Sequence, residues 1–213
     1  MAFNNYGNRF QSTTPVVLNL IIINSLVYLA QLLLDSTFNI TYKLALFSSD
    51  TGLFKPYQLV THMFAHQAHD AFGNMVLFHL LFNMLGLWML GPTLERVWGP
   101  KRFLIFYLAC GLAGGIAGVF LINASVSIGA SAAIMGLLAA FAYLFPNTEF
   151  TLFLLPVSIK AKYFVFILGA IDLLGGVHPG KFDDIGHYAH LGGLVMGLIL
   201  VLYWNKTNKK TFY

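Results

Sequence analysis

From Phe103 to Thr148 the chain contains no Asp, Glu, Lys, Arg or His. That run is more than twice the roughly 20 apolar residues that take a helix across a bilayer. It is too long for one span and fits two joined by a short polar turn, for which Asn123, Ser125 and Ser127 are available. A chain built around such a stretch folds against lipid rather than water.

The rest of the sequence agrees. Hydrophobic residues make up 58% of it and charged residues 9%, against about 25% charge in a soluble domain. A water-covered globule, a disordered chain, a coiled coil and a disulfide-stapled secreted domain are all excluded. Cys110 is the lone cysteine and has no partner within the chain. Further apolar stretches lie at about 15–34, 73–92, 163–177 and 186–204; with 103–122 and 129–146 from the long run they make six predicted spans. The expected fold class is an all-α membrane protein, a six-transmembrane-helix bundle forming one domain over residues 1–213. A long, partly membrane-embedded loop joins the first two helices. The fifth span is the shortest and carries Asp172 in its outer half. The first follows a polar head with Arg9 and lacks a small-residue cleavage site before Asp35, so it reads as a retained helix rather than a signal peptide. The seven prolines are expected outside helix interiors or at their ends.

Orientation follows Lys and Arg. With six spans and an internal N-terminus, Arg9, Arg96, Lys101, Arg102, Lys160, Lys162, Lys206, Lys209 and Lys210 fall inside, and Lys43, Lys55 and Lys181 outside. Both termini are therefore predicted to be cytoplasmic. The formal charge of +4 is scattered in small groups, which gives no footprint for nucleic acid.

Polar groups within spans are costly and need a reason. His79 and Asn83 are spaced i, i+4 and share a face of the second span. Ser131 sits in Gly129-Ala130-Ser131-Ala132 where the fourth span begins, and His190 lies a few residues into the sixth. Spans two, four and six run the same way, which puts these groups at similar depth near the outer face. A serine hydroxyl becomes a nucleophile when a base takes its proton, usually a histidine. Attack on an amide makes an oxyanion that needs oriented donors, and His79, Asn83 and the Ser131 N–H are available. His187 is a further group that can line a polar cavity. Each residue also has a plainer reading: Ser131 as a small packing residue, His190 and Asn83 as interhelical hydrogen-bonding groups, and Ala189, Gly193 and Gly197 as a small-residue seam. The residues alone leave both readings standing. Two other classes are weaker. His62, His66, His69 and Asp70 have spacing for a metal site only if helical, and no His-His pair accompanies them. No matched pair of broken helices suggests a transporter.

At these positions the chain resembles the rhomboid family of intramembrane serine proteases. The matching pieces are His79-Leu80-Leu81-Phe82-Asn83, Gly91 with Glu95-Arg96 in the following loop, Gly129-Ala130-Ser131, and Ala189-His190-Leu191-Gly192-Gly193. The resemblance covers nearly the whole chain and implies a Ser–His dyad without a carboxylate. Ser131 would be the nucleophile, His190 the base, and His79 and Asn83 the oxyanion donors. It implies no cofactor and no metal, single-span or other membrane-protein substrates in the lipid bilayer, and a bacterial plasma membrane. It also implies lateral substrate entry near the fifth span, capped by the Val177–Ile185 loop. Departures from the family pattern are Ala132 in place of glycine, Met135 in place of an aromatic, Tyr57-Gln58 in place of a Trp-Arg pair, and a short insertion at 67–75. Ala132 motivates the alternative of a proteolytically inactive relative that binds membrane clients. Asp172 invites a reading as the third member of a triad, since it sits between the middle and the outer face where contact with His190 is open; the reading taken is a hydrogen-bonded buried acid at the gate, without a catalytic role.

Overall fold

The computed structural model describes residues 14–70, 72–121, 126–151, 157–178 and 186–207. The polar head with Arg9, the turn residues Asn123 and Ser125, Pro156, the loop residues 179–185 with Pro179 and Lys181, and Lys209 and Lys210 lie outside them. Six main helices follow in order: α1 (Pro15–Phe38), α2 (Phe78–Trp98), α3 (Pro100–Phe120), α4 (Ser131–Leu144), α5 (Ala161–Val177) and α6 (His187–Thr207). Each corresponds to one predicted span, and together they form an all-α membrane bundle. By length and composition α1, α3 and α6 are sufficient to cross a membrane, and α4 is a shorter apolar helix.

Each helix presents to the bundle what lipid cannot satisfy. On α1 the buried residues are Val17, Leu20, Asn24, Tyr28 and Gln31, a stripe with helical spacing. Leu18, Leu26 and Leu33 on the other side are exposed and face the hydrocarbon. The main core gathers Leu87, Leu94, Phe103, Phe106, Tyr107 and Leu137 where α2, α3 and α4 meet.

The second helix departs from expectation. It begins later than 73 and continues to Trp98, so Glu95 and Arg96 lie in its last turns and not in a following loop. Pro92 is inside the helix, contrary to the expectation that every proline avoids helix interiors; membrane bundles tolerate this because neighbours re-satisfy freed backbone groups. Charge at 95–96 hides the end of the helix in the sequence, and the structure gives Glu95 a partner. The first turn of α1 has no acidic residue and no capping side chain of its own. The Glu95 carboxylate, 2% exposed, accepts the N–H of Val16 at 3.0 Å and of Val17 at 2.9 Å. A negative charge at a helix N-terminus is stabilising, so α2 caps α1.

The long connection between α1 and α2 is built, not floating. It contains strand β1 (Leu46–Phe47), one turn of helix at Gln58–Thr61 and a 3-10 turn at His62–Phe64. Gln58 is buried; its Oε1 accepts the N–H of Lys55 at 3.0 Å and its Nε2 donates to the Leu53 carbonyl at 3.4 Å. Gln31 of α1 clamps His66: Nε2 donates to the His66 carbonyl at 2.8 Å and Oε1 accepts its N–H at 3.0 Å. The His66 ring Nε2–H meets Asn24 Oδ1 at 2.8 Å. In the segment before α2, the Asp70 carboxylate accepts the N–H of Phe72 and of Asn74. Burial pushes the ring pKa of His62 down to about 4 and that of His66 to about 3.

Two predictions follow from these contacts. Glu95→Ala strands two backbone N–H groups and is expected to cost about 1.5–3 kcal/mol, read as denaturant unfolding in lipid-detergent micelles; unchanged stability would refute the cap. Neutral His62 and His66 are favoured by folding, so the unfolded chain binds more protons between its ordinary histidine pKa of about 6.5 and the folded values. Stability is therefore full above that range and falls as pH drops through it toward 4. The His62→Gln/His66→Gln double variant should have a flatter thermal midpoint between pH 7 and 4.5 than the wild type.

Candidate active site

Ser131 is the first residue of α4, and α4 is short. Its 14 residues rise about 21 Å, less than the roughly 30 Å hydrocarbon core. The chain must continue as non-helical backbone at membrane depth, which is tolerated only where protein satisfies it. The first loop does so on the Ser131 side. Strand β2 (Val126–Ser127) pairs antiparallel with β1, Leu46 opposite Ser127 and Phe47 opposite Val126. The Gly129 N–H donates to the His62 carbonyl at 2.8 Å. Gly129 has φ +118, and a Cβ there would lie 2.9 Å from His79 Nε2. The missing side chain thus admits the His79 ring tip beside the start of α4.

The helix carrying His190 reaches Ser131 through glycine. A methyl on Gly193 would fall on the Ala132 carbonyl, and one on Gly197 would meet the Gly136 backbone. His190, Gly193 and Gly197 are spaced i, i+3, i+7 on one face, so the face that packs closest on α4 also carries the imidazole. The Ser131 hydroxyl and His190 Nε2 are 2.8 Å apart. Ala132 is buried, and its methyl occupies the space that a side chain on Gly114 of α3 would need. The extra methyl relative to the family pattern is absorbed by a missing one opposite. Met135 is buried in the core one turn further on.

The opposite nitrogen of His190 is also held. Its Nδ1 lies 3.0 Å from Asp172 Oδ1 on α5, and His187 Nδ1 lies 2.8 Å from the same oxygen. An ionised carboxylate only accepts, so an ionised Asp172 would require a proton on each Nδ1. In neutral His190 that would leave Nε2 as a bare lone pair toward Ser131. His187, expected as a cavity-lining group, is instead buried against Asp172.

His79 is oriented the other way. The Gln67 N–H donates to its Nδ1 at 3.0 Å, which puts the ring proton on Nε2, the atom beside Gly129. One N–H of the Asn83 amide donates to the His79 carbonyl at 2.8 Å, leaving the second available. Asn83 Oδ1 is buried without a hydrogen-bond partner among the described residues, a cost that calls for an explanation.

Ser131, His190, His79 and Gly129 thus gather at the outset of α4, with Asn83 one turn along from His79. Two contributors were not assigned to the site from the sequence. Asp172 is weighed there as a third member of a triad and set aside as a buried acid, because its contact with His190 depends on the register of α5 against α6. Gln67 acts through its backbone N–H, which no residue type announces. Among the described residues no group of three or more His, Cys, Asp or Glu side chains is placed to hold a metal ion.

The Rhomboid domain family matches residues 54–206. Among curated proteins, the chain is 33% identical over 148 residues to "Rhomboid protein 1, mitochondrial" of Saccharomyces cerevisiae, covering 66% of this chain and 42% of that protein. It is 37% identical over 119 residues to "Rhomboid protease GluP" of Bacillus subtilis, covering 56% and 22%. It is 32% identical over 139 residues to "Presenilin-associated rhomboid-like protein, mitochondrial" of Homo sapiens, covering 63% and 36%. The chain therefore spans less than half the length of these relatives.

The glycine seam can be tested by contrast. Ala favours a helix over Gly by about 1 kcal/mol, so only close packing makes the change harmful. A methyl on Gly118 would sit 3.6 Å from its nearest neighbours, an ordinary contact. Gly118→Ala is expected to hold or raise the thermal midpoint, and Gly193→Ala to lower it by several degrees. Equal effects at the two positions would contradict backbone contact at Gly193.

Proposed function

Because the chain belongs to the rhomboid family, we propose that it is an intramembrane serine endopeptidase that cleaves membrane proteins in or near a transmembrane segment. The observation that carries this reading is the 2.8 Å contact between the Ser131 hydroxyl and His190 Nε2, made by helices whose active residues are far apart in sequence. The protease named among the relatives supports the same chemistry.

Ser131 Oγ attacks the scissile carbonyl carbon as its proton passes to His190 Nε2. The resulting oxyanion is met by the Ser131 backbone N–H, His79 Nε2–H and the spare Asn83 N–H, donors fixed in place before the charge develops. His190 then returns its proton to the leaving amine, and water repeats the sequence on the acyl-enzyme. The His190 side chain is 20% exposed, enough for water to reach it. A helical substrate shields its own carbonyls, so small or helix-weakening residues near the cut favour cleavage. Residues 1–213 act as one domain. The protein resides in a bacterial plasma membrane with both termini cytoplasmic and the site toward the outer face. It takes single-span or other membrane-protein substrates, uses no cofactor or metal, and binds no nucleic acid.

Ala132 was the reason to consider an inactive, client-binding relative, and Gly114 takes up its methyl. The test uses wild type and Ser131→Ala in lipid vesicles with a panel of single-span substrates. Wild type should cleave and bind a fluorophosphonate at Ser131. Ser131→Ala should lose labelling and at least about a thousandfold in turnover, with its thermal midpoint nearly unchanged. Cleavage by Ser131→Ala, or a folded wild type that neither labels nor cuts, would sink the proposal.

A further inference from the structure

Asp172 is 6% exposed within a membrane helix, where a carboxylate is costly unless partnered. Its Oδ1 takes two imidazole donors, His187 at 2.8 Å and His190 at 3.0 Å. The two histidines lie one turn apart on the same face of α6. The close approach has a visible cause in α5: a Cβ on Gly175 would run into the His187 ring, and one on Gly176 would press on Tyr188 at 3.2 Å. Asp172 and this glycine pair are one turn apart, so the segment that lets α5 close on the first turn of α6 also delivers the carboxylate.

If Asp172 were only an anchor between α5 and α6, His187 alone would satisfy it. The second bond goes to the imidazole whose other nitrogen contacts Ser131. We infer that Asp172 is a positioning residue of this site, accepting the Nδ1–H of His190 and so holding the ring in the tautomer whose bare Nε2 faces the serine hydroxyl. The inference rests on Ser131 and His190 acting as nucleophile and base, and it adds a third helix to a centre otherwise built as a dyad. When Ser131 attacks, its proton moves to His190 Nε2 and the imidazolium keeps its Nδ1–H on Asp172. The carboxylate stays ionised throughout and receives no proton; its charge offsets the one that forms on the ring.

Asp172→Asn keeps size and shape and puts an amide where the acceptor was. The amide oxygen can still accept the Nδ1–H of His190, but it carries no charge to offset the imidazolium, so the variant removes the electrostatic half of the contact. Two readouts are compared between wild type and Asp172→Asn in lipid vesicles. One is the rate of serine labelling by a fluorophosphonate, separated into the saturating rate and the half-saturating concentration. The other is the ring nitrogen-15 spectrum of His190, assigned by its loss in His190→Gln. The saturating rate is expected to fall about 10- to 1,000-fold, with the half-saturating concentration within about twofold. The wild-type spectrum should show His190 protonated at Nδ1. An Asp172→Asn protein that unfolds like wild type yet labels within twofold of its rate would overturn the role, and so would a wild-type His190 that carries its proton on Nε2. If the variant does not fold, the wild-type spectrum decides: Nδ1–H supports the bond to Asp172 and Nε2–H refutes it. A wild type that never labels defeats the protease reading, while its His190 tautomer still tests Asp172.

Discussion

Lipid gives two helices no hydrophobic reason to associate, because the tails around them are as apolar as their side chains. What brings α6 onto α4 is the absence of side chains. Gly193 lets the α6 backbone lie on Ala132, and Gly197 lets it lie on Gly136. The neighbouring Gly192, about 100° further round the helix, does the same against Ala113 and Ala117 of α3. Two consecutive glycines thus seat α6 in the groove between α3 and α4. His190 stands one turn before Gly193 on the α4-facing side, so its 2.8 Å contact with Ser131 is a consequence of backbone spacing. Any added methyl along this seam acts on the imidazole as well as on the packing.

The first loop solves a second problem of life in hydrocarbon. The segment before Ser131 is not helical, and its backbone groups require partners that lipid does not offer. β1 provides a ladder for β2, and His62 gives a carbonyl to the Gly129 N–H. The same loop turns the His79 ring through the Gln67 N–H. In return, Asn24 and Gln31 of α1, both fully buried, find their partners at His66. Polar residues that look like defects in an apolar span are the docking points for the loop. One connection therefore supports both the serine end and the donor end of the site.

These relations explain what could be seen in the sequence. Six helices were legible because long apolar runs have few alternatives. The end of α2 was not, since Glu95 and Arg96 read as loop charges until the N-terminus of α1 is known to sit on Glu95. Pro92 was misjudged for the same reason. The grouping of Ser131, His79 and His190 followed from span direction, which fixes depth to within about a turn. The Asp172 pairing with His190 could be raised from the sequence but not decided. A helix rises 1.5 Å per residue, so a shift of two or three residues in α5 against α6 would take the carboxylate out of hydrogen-bond reach, and composition carries no information on that register. The Gly175–Gly176 pair was the available hint, and it reads as packing until His187 is placed against it.

Asp172 also changes what α5 is worth to the bundle. A carboxylate withdrawn from water costs several kcal/mol unless well partnered, and here both partners come from α6. Pulling α5 away would take the carboxylate from the His190 and His187 rings it now meets, which is a larger penalty than lost apolar contact in a solvent of lipid tails. The His190 ring would be freed to rotate and to exchange tautomers at the same moment. The lateral route near the fifth helix that the family resemblance implies would therefore be constrained. On the proposed reading a substrate segment would have to be accommodated where α5 is exposed, as at Phe166 and Leu173, while the turn bearing Asp172, Gly175 and Gly176 stays against His187, so that the helix yields along its length and holds at that turn.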